Sequence, residues 1–264
     1  VGLVEWRIKH LDSKRVWKRR RAADALSRAL SRKAILQLLI SVRDPDEEVR
    51  LIAAKGLGKV QARGAIQYII SLLKGFPKEK CPHIADILIN YGEMAVGDIS
   101  SVLSSPDCDP QTRFWSVRAL AEIGPPADKL PYKNLESVLR RFLMDSSPEV
   151  RGYSGIALAK FSSDDNFLDI QKLLSDESAL VRVCAARALG ILKTSQALDA
   201  LVNTIEDPEW DVNYAAAEIL LDFGDSYQEI ESKLKVKYQD PDTFSYKRSM
   251  ELIEKMGWKR NDIL

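Results

Sequence analysis

From Asp176 to Gly190 the chain runs Asp-Glu-Ser-Ala-Leu-Val-Arg-Val-Cys-Ala-Ala-Arg-Ala-Leu-Gly, and this segment is a template for the rest. An acid opens a turn, an arginine follows six places on, and then come paired alanines and a leucine at helical spacing. In whole or in part the order recurs from Asp44, Asp145 and Asp207. Over the whole chain, Arg19, Arg50, Cys81, Arg113, Arg151, Arg182, Asn213 and Tyr246 form one column, with spacings of 31, 31, 32, 38, 31, 31 and 33. Seven places after each anchor stand Leu26, Leu57, Leu88, Leu120, Leu158, Leu189, Leu220 and Ile253. Six places before stand Asp44, Asp107, Asp145, Asp176, Asp207 and Asp240, with Ser13 and Gly75 in the two remaining copies. A period of this length marks stacked supersecondary units that bury apolar faces against their neighbours.

Each copy reads as two helices. Residues 31–42 carry a one-sided stripe of Ala34, Ile35, Leu38 and Leu39. A turn rich in Asp and Pro follows, its acid placed to cap the second helix. Second helices are expected over 14–29, 46–60, 80–91, 110–123, 148–161, 179–192, 209–223 and 242–256. Ala22 and Ala23, Ala53 and Ala54, Ala185 and Ala186, and Ala216 and Ala217 let these helices pack closely. The Asp and Arg columns are expected to bridge adjacent copies by hydrogen bonds, because catalytic groups occur once per site and not once per repeat. The reading is an all-α, right-handed α-α superhelix of about eight two-helix repeats. It forms a single array over 1–264 with a discontinuity near 124–134, where Gly124-Pro125-Pro126 and Pro131 fall in the longer spacing.

The segments Asp44-Pro-Asp-Glu-Glu-Val-Arg50, Ser147-Pro-Glu-Val-Arg151 and Ala179-Leu-Val-Arg182 resemble HEAT repeats, in particular the short HEAT-like kind of the phycobilisome lyases. The third and eighth copies depart, with Lys80-Cys81-Pro82 and Ser245-Tyr246 in place of Val-Arg. The resemblance implies second helices that line a concave wall. It also brings two enzymatic alternatives, an alkylated-base DNA glycosylase and a phycobilin lyase, beside the many HEAT-like proteins that only bind.

Composition narrows the choice. No apolar run approaches the roughly 20 residues of a membrane span. Cys81, Cys108 and Cys184 are isolated, and His10 and His83 stand apart from any ligand spacing, so neither metal nor other cofactor is expected. There is no glycine-rich phosphate loop and no nucleophile arrangement. The formal net charge is +1, yet residues 1–33 hold eleven Lys or Arg against Glu5, Asp12 and Asp24, a local excess of +8. Arg15, Lys18, Arg19, Arg20 and Arg21, beside Trp6 and Trp17, are therefore candidates for binding an anionic membrane surface. The expected location is cytoplasmic, with membrane association through this basic end or a missing upstream segment as the alternative.

On the second helices, the positions just past the anchors make an apolar and aromatic series. Leu51, Phe114, Trp115, Tyr153, Val183 and Tyr214, with Ile156 where the polar column is interrupted, are the candidate protein-binding residues. Five places past the anchor, Asp24, Lys55, Asp86, Arg118, Arg187 and Glu218 alternate in sign and are expected to form an ion-pair ladder, with Arg187 bonded to Glu218. Nucleic acid is not expected as a partner, since Asp86, Glu122, Glu218 and Asp222 break any continuous cationic path. The functional expectation is a non-catalytic protein-binding scaffold, not an enzyme.

Overall fold

The computed structural model describes residues 2–29, 31–124, 133–161, 166–222, 227–238, 247 and 249–251. Helices dominate, and among the described residues there is no strand. The chain divides into two compact units, Val1–Gly124 and Pro125–Leu264. Much of the segment expected to interrupt the array, together with Tyr246 and Ile253 of the eighth copy, lies outside the described residues.

In the first unit, α1 (Gly2–Leu11), α3 (Arg32–Ser41), α5 (Ile66–Leu72) and α7 (Glu93–Ser104) alternate with α2 (Val16–Ala29), α4 (Glu47–Lys59), α6 (Cys81–Tyr91) and α8 (Pro110–Glu122). Each odd helix packs on the even helix that follows it, and the even helices pack in series, α2 on α4, α4 on α6 and α6 on α8. The second unit repeats the scheme with α9 (Lys133–Phe142), α11 (Phe167–Leu173), α13 (Ser195–Thr204) and α15 (Tyr227–Tyr238) between α10 (Pro148–Phe161), α12 (Ala179–Leu192) and α14 (Trp210–Asp222). Here α10 packs on α12 and α12 on α14. Both units are thus stacks of helix pairs, the all-α solenoid arrangement.

The columns explain the stacking. Leu26, Leu57, Leu88, Leu120, Leu158, Leu189 and Leu220 are completely buried, as are the four alanine pairs. Small residues bring the backbones close and the leucine one turn on fills the remaining space. The approach is close at the C-terminal ends of two second helices. A Cβ on Gly190 would stand 2.5 Å from Ile219 Cγ2, and one on Gly58 would stand 2.8 Å from Ile87 Cγ2.

Helix starts are set by short polar side chains. Ser31, Asp46, Asp109 and Thr194 accept the amides of Ala34, Val49, Thr112 and Ala197. The repeated acid of the turn plays a different part from the cap expected of it. Asp44, Asp145, Asp176 and Asp207 each accept the amide two residues on, from Asp46, Ser147, Ser178 and Glu209 at 2.8–2.9 Å. This fixes the turn before the helix begins and, at α4 and α10, leaves the cap to Asp46 and Ser147.

Candidate protein-binding surface

The anchor arginines hold the repeats together. Arg182 donates from Nε and Nη2 to the two carboxylate oxygens of Asp207 in the next copy, at 2.7 and 2.9 Å. Its Nη1 donates backwards to the carbonyl of Asp176 at 2.9 Å. Arg151 is bound in the same way to Asp176 ahead and the Asp145 carbonyl behind. Arg19 grips Asp44 and the Ser13 carbonyl. A guanidinium is the one side chain that can make this planar two-pronged bond while reaching a third acceptor.

These pairs are largely dry. The Arg182 and Asp207 side chains are only 12% and 9% exposed. Burial pushes the Asp207 carboxyl upward, but the Arg182 bond and the Glu209 amide outweigh it, so the group lies below its ordinary range. Asp176 behaves likewise, with burial opposed by Arg151 and the Ser178 amide. The bond to Asp207 raises Arg182 further. Arg19, Arg151 and Arg182 and their acids are therefore committed to holding neighbouring copies together.

With those groups assigned, the remaining side chains define what can face a partner. Leu51, Trp115 and Ile156 are buried and present little surface. Trp115 lies against Phe114, ring centroids 4.7 Å apart, with the Arg118 guanidinium 5.1 Å from its ring. Phe114 in the first unit is half-buried, as are Tyr153 and Val183 in the second. Tyr214 is 43% exposed on α14. Sequence reasoning missed its neighbour Trp210, which is 60% exposed with its ring 5.9 Å from that of Tyr214. The available signal was their separation by four residues on one helix.

The anticipated ladder five places past the anchors does not form. Among the described residues no ion pair joins Arg187 to Glu218 or Lys55 to Asp86, and Asp24 pairs within its own helix to Arg28. Exposed pairs gain little in water and lose side-chain freedom, so register alone does not bring them together. Lys55 and Asp86 instead border an open hollow of about 620 Å³ with Lys59, Gln61, His83 and Asn90.

At the basic end, Arg19 and Arg20 are engaged with Asp44 and Asp46. Arg20 and the Val49 amide hold Asp46 well below the usual carboxylate range, at about 2, against the opposing effect of burial. Arg15, Lys18 and Arg21 make no ion pair among the described residues; Lys18 lies 5.6 Å from the centre of the Trp17 ring, and that tryptophan is 56% exposed. Among the described residues no group of three or more His, Cys, Asp or Glu side chains is placed to hold a metal. No described helix is long and apolar enough to cross a membrane. Burial raises the Cys184 thiol to about 11 despite the opposing charge of Arg187.

Stacked helix pairs with a recurrent arginine–aspartate bridge define a repeat protein of the α-solenoid class. Residues 4–79 and 132–222 match the family described as HEAT repeats, and the chain belongs to that family. No curated protein matches the sequence. Among solved structures, the chain is similar to an engineered protein at 19% identity and a TM-score of 0.53, over 96% of this chain and 82% of that one. It is also similar to the complex of CpcE and CpcF of phycocyanin lyase from Nostoc sp. PCC7120, at 19% identity and a TM-score of 0.43, covering 96% and 94% of the two chains. Human deoxyhypusine hydroxylase in complex with glycerol aligns at 19% identity and a TM-score of 0.38, covering 97% and 96%. At this identity the likeness to the engineered protein concerns the fold alone.

Proposed function

We propose that this chain is a non-catalytic protein-binding scaffold that holds its partner on the second helices. Phe114 in the first unit and Tyr153, Val183 and Tyr214 in the second are the contact residues; Leu51, Trp115 and Ile156 support the surface from beneath. The observation that carries the reading is Tyr214, a large ring left 43% exposed on a helix whose opposite face is buried. Exposed aromatic rings among charged groups are what protein interfaces use as anchors. A photo-crosslinking residue at position 214, used in the source cells, captures the partner for identification. Tyr214→Ala is then expected to leave the melting temperature nearly unchanged and weaken that partner's binding by about 1–2 kcal/mol. Equal affinity of the folded variant removes Tyr214 from the interface, and bilin transfer or base excision by the purified chain would replace the scaffold with an enzyme.

The basic end supplies a second contact in this reading, with the anionic surface of a membrane. Its working residues are Arg15, Lys18 and Arg21 with Trp17, since Arg19 and Arg20 are occupied within the fold. Sedimentation with phosphatidylserine vesicles is expected at low salt and lost at high salt. Reversal of Arg15, Lys18 and Arg21 to Glu should abolish it, and binding unaffected by that change would overturn the assignment.

A further inference from the structure

One face of α14 differs in its chemistry from the remainder of the described second unit. At 100° per residue, Trp210, Tyr214, Glu218, Asp211 and Asp222 fall within about one third of the helix circumference. All five side chains are exposed. The opposite rows hold Val212, Asn213, Ala216, Ala217 and Leu220, all buried. The helix contains no Lys or Arg. Its outward face is therefore two aromatic rings continued by three carboxylates.

Several surface acids elsewhere have cations from a neighbouring copy. Lys80 holds Glu47 and Glu48, Arg140 holds Asp169, Lys233 holds Asp199 and Lys237 holds Glu206. Asp211, Glu218 and Asp222 form no ion pair among the described residues. The nearest anchor arginine in the sequence, Arg182, is consumed by Asp207.

We infer that the exposed face of α14 binds an extended, arginine-rich segment of a protein partner. This rests on the scaffold reading above and specifies the chemistry of what is held. A guanidinium lies favourably over the face of a tryptophan or tyrosine and also makes two parallel bonds to a carboxylate, so one residue type satisfies every group on the face. The spacing agrees. Along α14, Trp210, Tyr214, Glu218 and Asp222 follow one another about 6 Å apart along the axis. Alternate side chains of an extended peptide project from the same side roughly 6–7 Å apart. Arginines at every second position can thus follow the helix over two or three turns.

Fluorescence anisotropy of the full 264-residue chain with a labelled (Arg-Ser)4 peptide tests the inference, with (Glu-Ser)4 as the control. The basic peptide is expected to bind at low salt and the acidic one not to bind. Trp210→Ala changes no charge and should weaken binding about tenfold; the double change Glu218→Gln and Asp222→Asn should do at least as much. Melting temperatures identify any variant that has lost its fold, and Glu177→Gln, an exposed acid off the face, should bind as the parent does. Failure of the basic peptide to bind, or equal binding by Trp210→Ala, overturns the inference. Self-association of the chain that is abolished by Glu218→Gln would give the face to a second copy and overturn it as well. A partner that needs Tyr214 but docks through a segment without excess Arg or Lys would refute this inference and leave the scaffold intact. Retained peptide binding by a chain whose only physiological partner ignores Tyr214 would do the reverse.

Discussion

The seams between second helices are built differently in the two units. In the second, Arg151 bonds to Asp176 and Arg182 to Asp207 in strict register. In the first, Arg19 bonds to Asp44 in the same way, and the sequence then breaks the pattern at the next two anchors. Gly75 stands where the next acid would be, and the Arg50 guanidinium instead stacks 5.2 Å from the Phe76 ring while keeping its bond to the Asp44 carbonyl. At the following anchor Cys81 is buried, and the adjacent Lys80 carries the charge to Glu47 and Glu48. Gln111 closes the same region by donating to the Leu73 and Phe76 carbonyls at 2.6 and 2.8 Å. The Tyr91 hydroxyl bonds to the Leu57 and Ala62 carbonyls at 3.1 and 3.2 Å. A seam needs its turn carbonyls satisfied and its helices clamped, and several side chains can meet that need where one arginine does not.

The largest effect expected from this contrast is in the arginines themselves. Arg182→Ala strands the buried Asp207 carboxylate and should cost about 3 kcal/mol in urea unfolding. Arg50→Ala loses a ring contact and carbonyl bonds but strands no acid ahead of it, and should cost about 1 kcal/mol. Equal losses would mean that the two seams are energetically alike despite their different chemistry.

A smaller effect should be common to both units. Gly190→Ala and Gly58→Ala each push a methyl against an isoleucine of the next copy, and a cost of about 1–3 kcal/mol is expected for each. Gly97 lies in α7 with open space around it, so Gly97→Ala should stabilise by about 0.5–1 kcal/mol. Thermal denaturation of the three variants compares them directly. A neutral Gly190→Ala would show that the close approach of α12 and α14 relaxes freely.

The weakest lever is acid. Asp46, Asp176 and Asp207 titrate below the ordinary carboxylate value of 3.8 in the folded chain. The stability they contribute is present in full above that value and is lost as the pH falls through their folded values, for Asp46 at about 2. The melting temperature should therefore fall progressively below about pH 4. Asp207→Asn should flatten part of that decline, and an unchanged profile would remove the bridge from the acid response.

The buried framework was legible because its constraints repeat. Leu189 and Ala185 occupy positions that must be small or apolar in copy after copy, and the Arg182 and Asp207 columns announce a bond made wherever both residues are present, as at Arg19, Arg151 and Arg182. Exposure did not follow from the same columns, because it depends on what the neighbouring copy places opposite. Ile156 stands where Arg187 and Glu218 are exposed in later copies, yet it is buried. Its helix carries Gly152 and Gly155, whose backbones lie so close to Cys184 and Leu173 that a Cβ at either would fall within 3 Å. Trp210 escaped notice because it precedes its anchor by three residues and no other copy has a ring there. The missing bond between Arg187 and Glu218 has the same origin, since a shared column fixes angle along the helix and not the meeting of two hydrated side chains.

The buried cysteines give this contrast a clock. Cys184 sits against Gly152 in the regular seam and Cys81 at the broken one, both inaccessible and both with thiols raised by burial, whereas Cys108 is partly exposed. Only the thiolate reacts with an alkylating reagent, so each buried sulfur stays silent until its helices separate. Cys108, more open but with its thiol also raised by burial, is the internal comparison, and the further lag at Cys81 and Cys184 counts how often each seam breathes open while the rest of the chain stays folded.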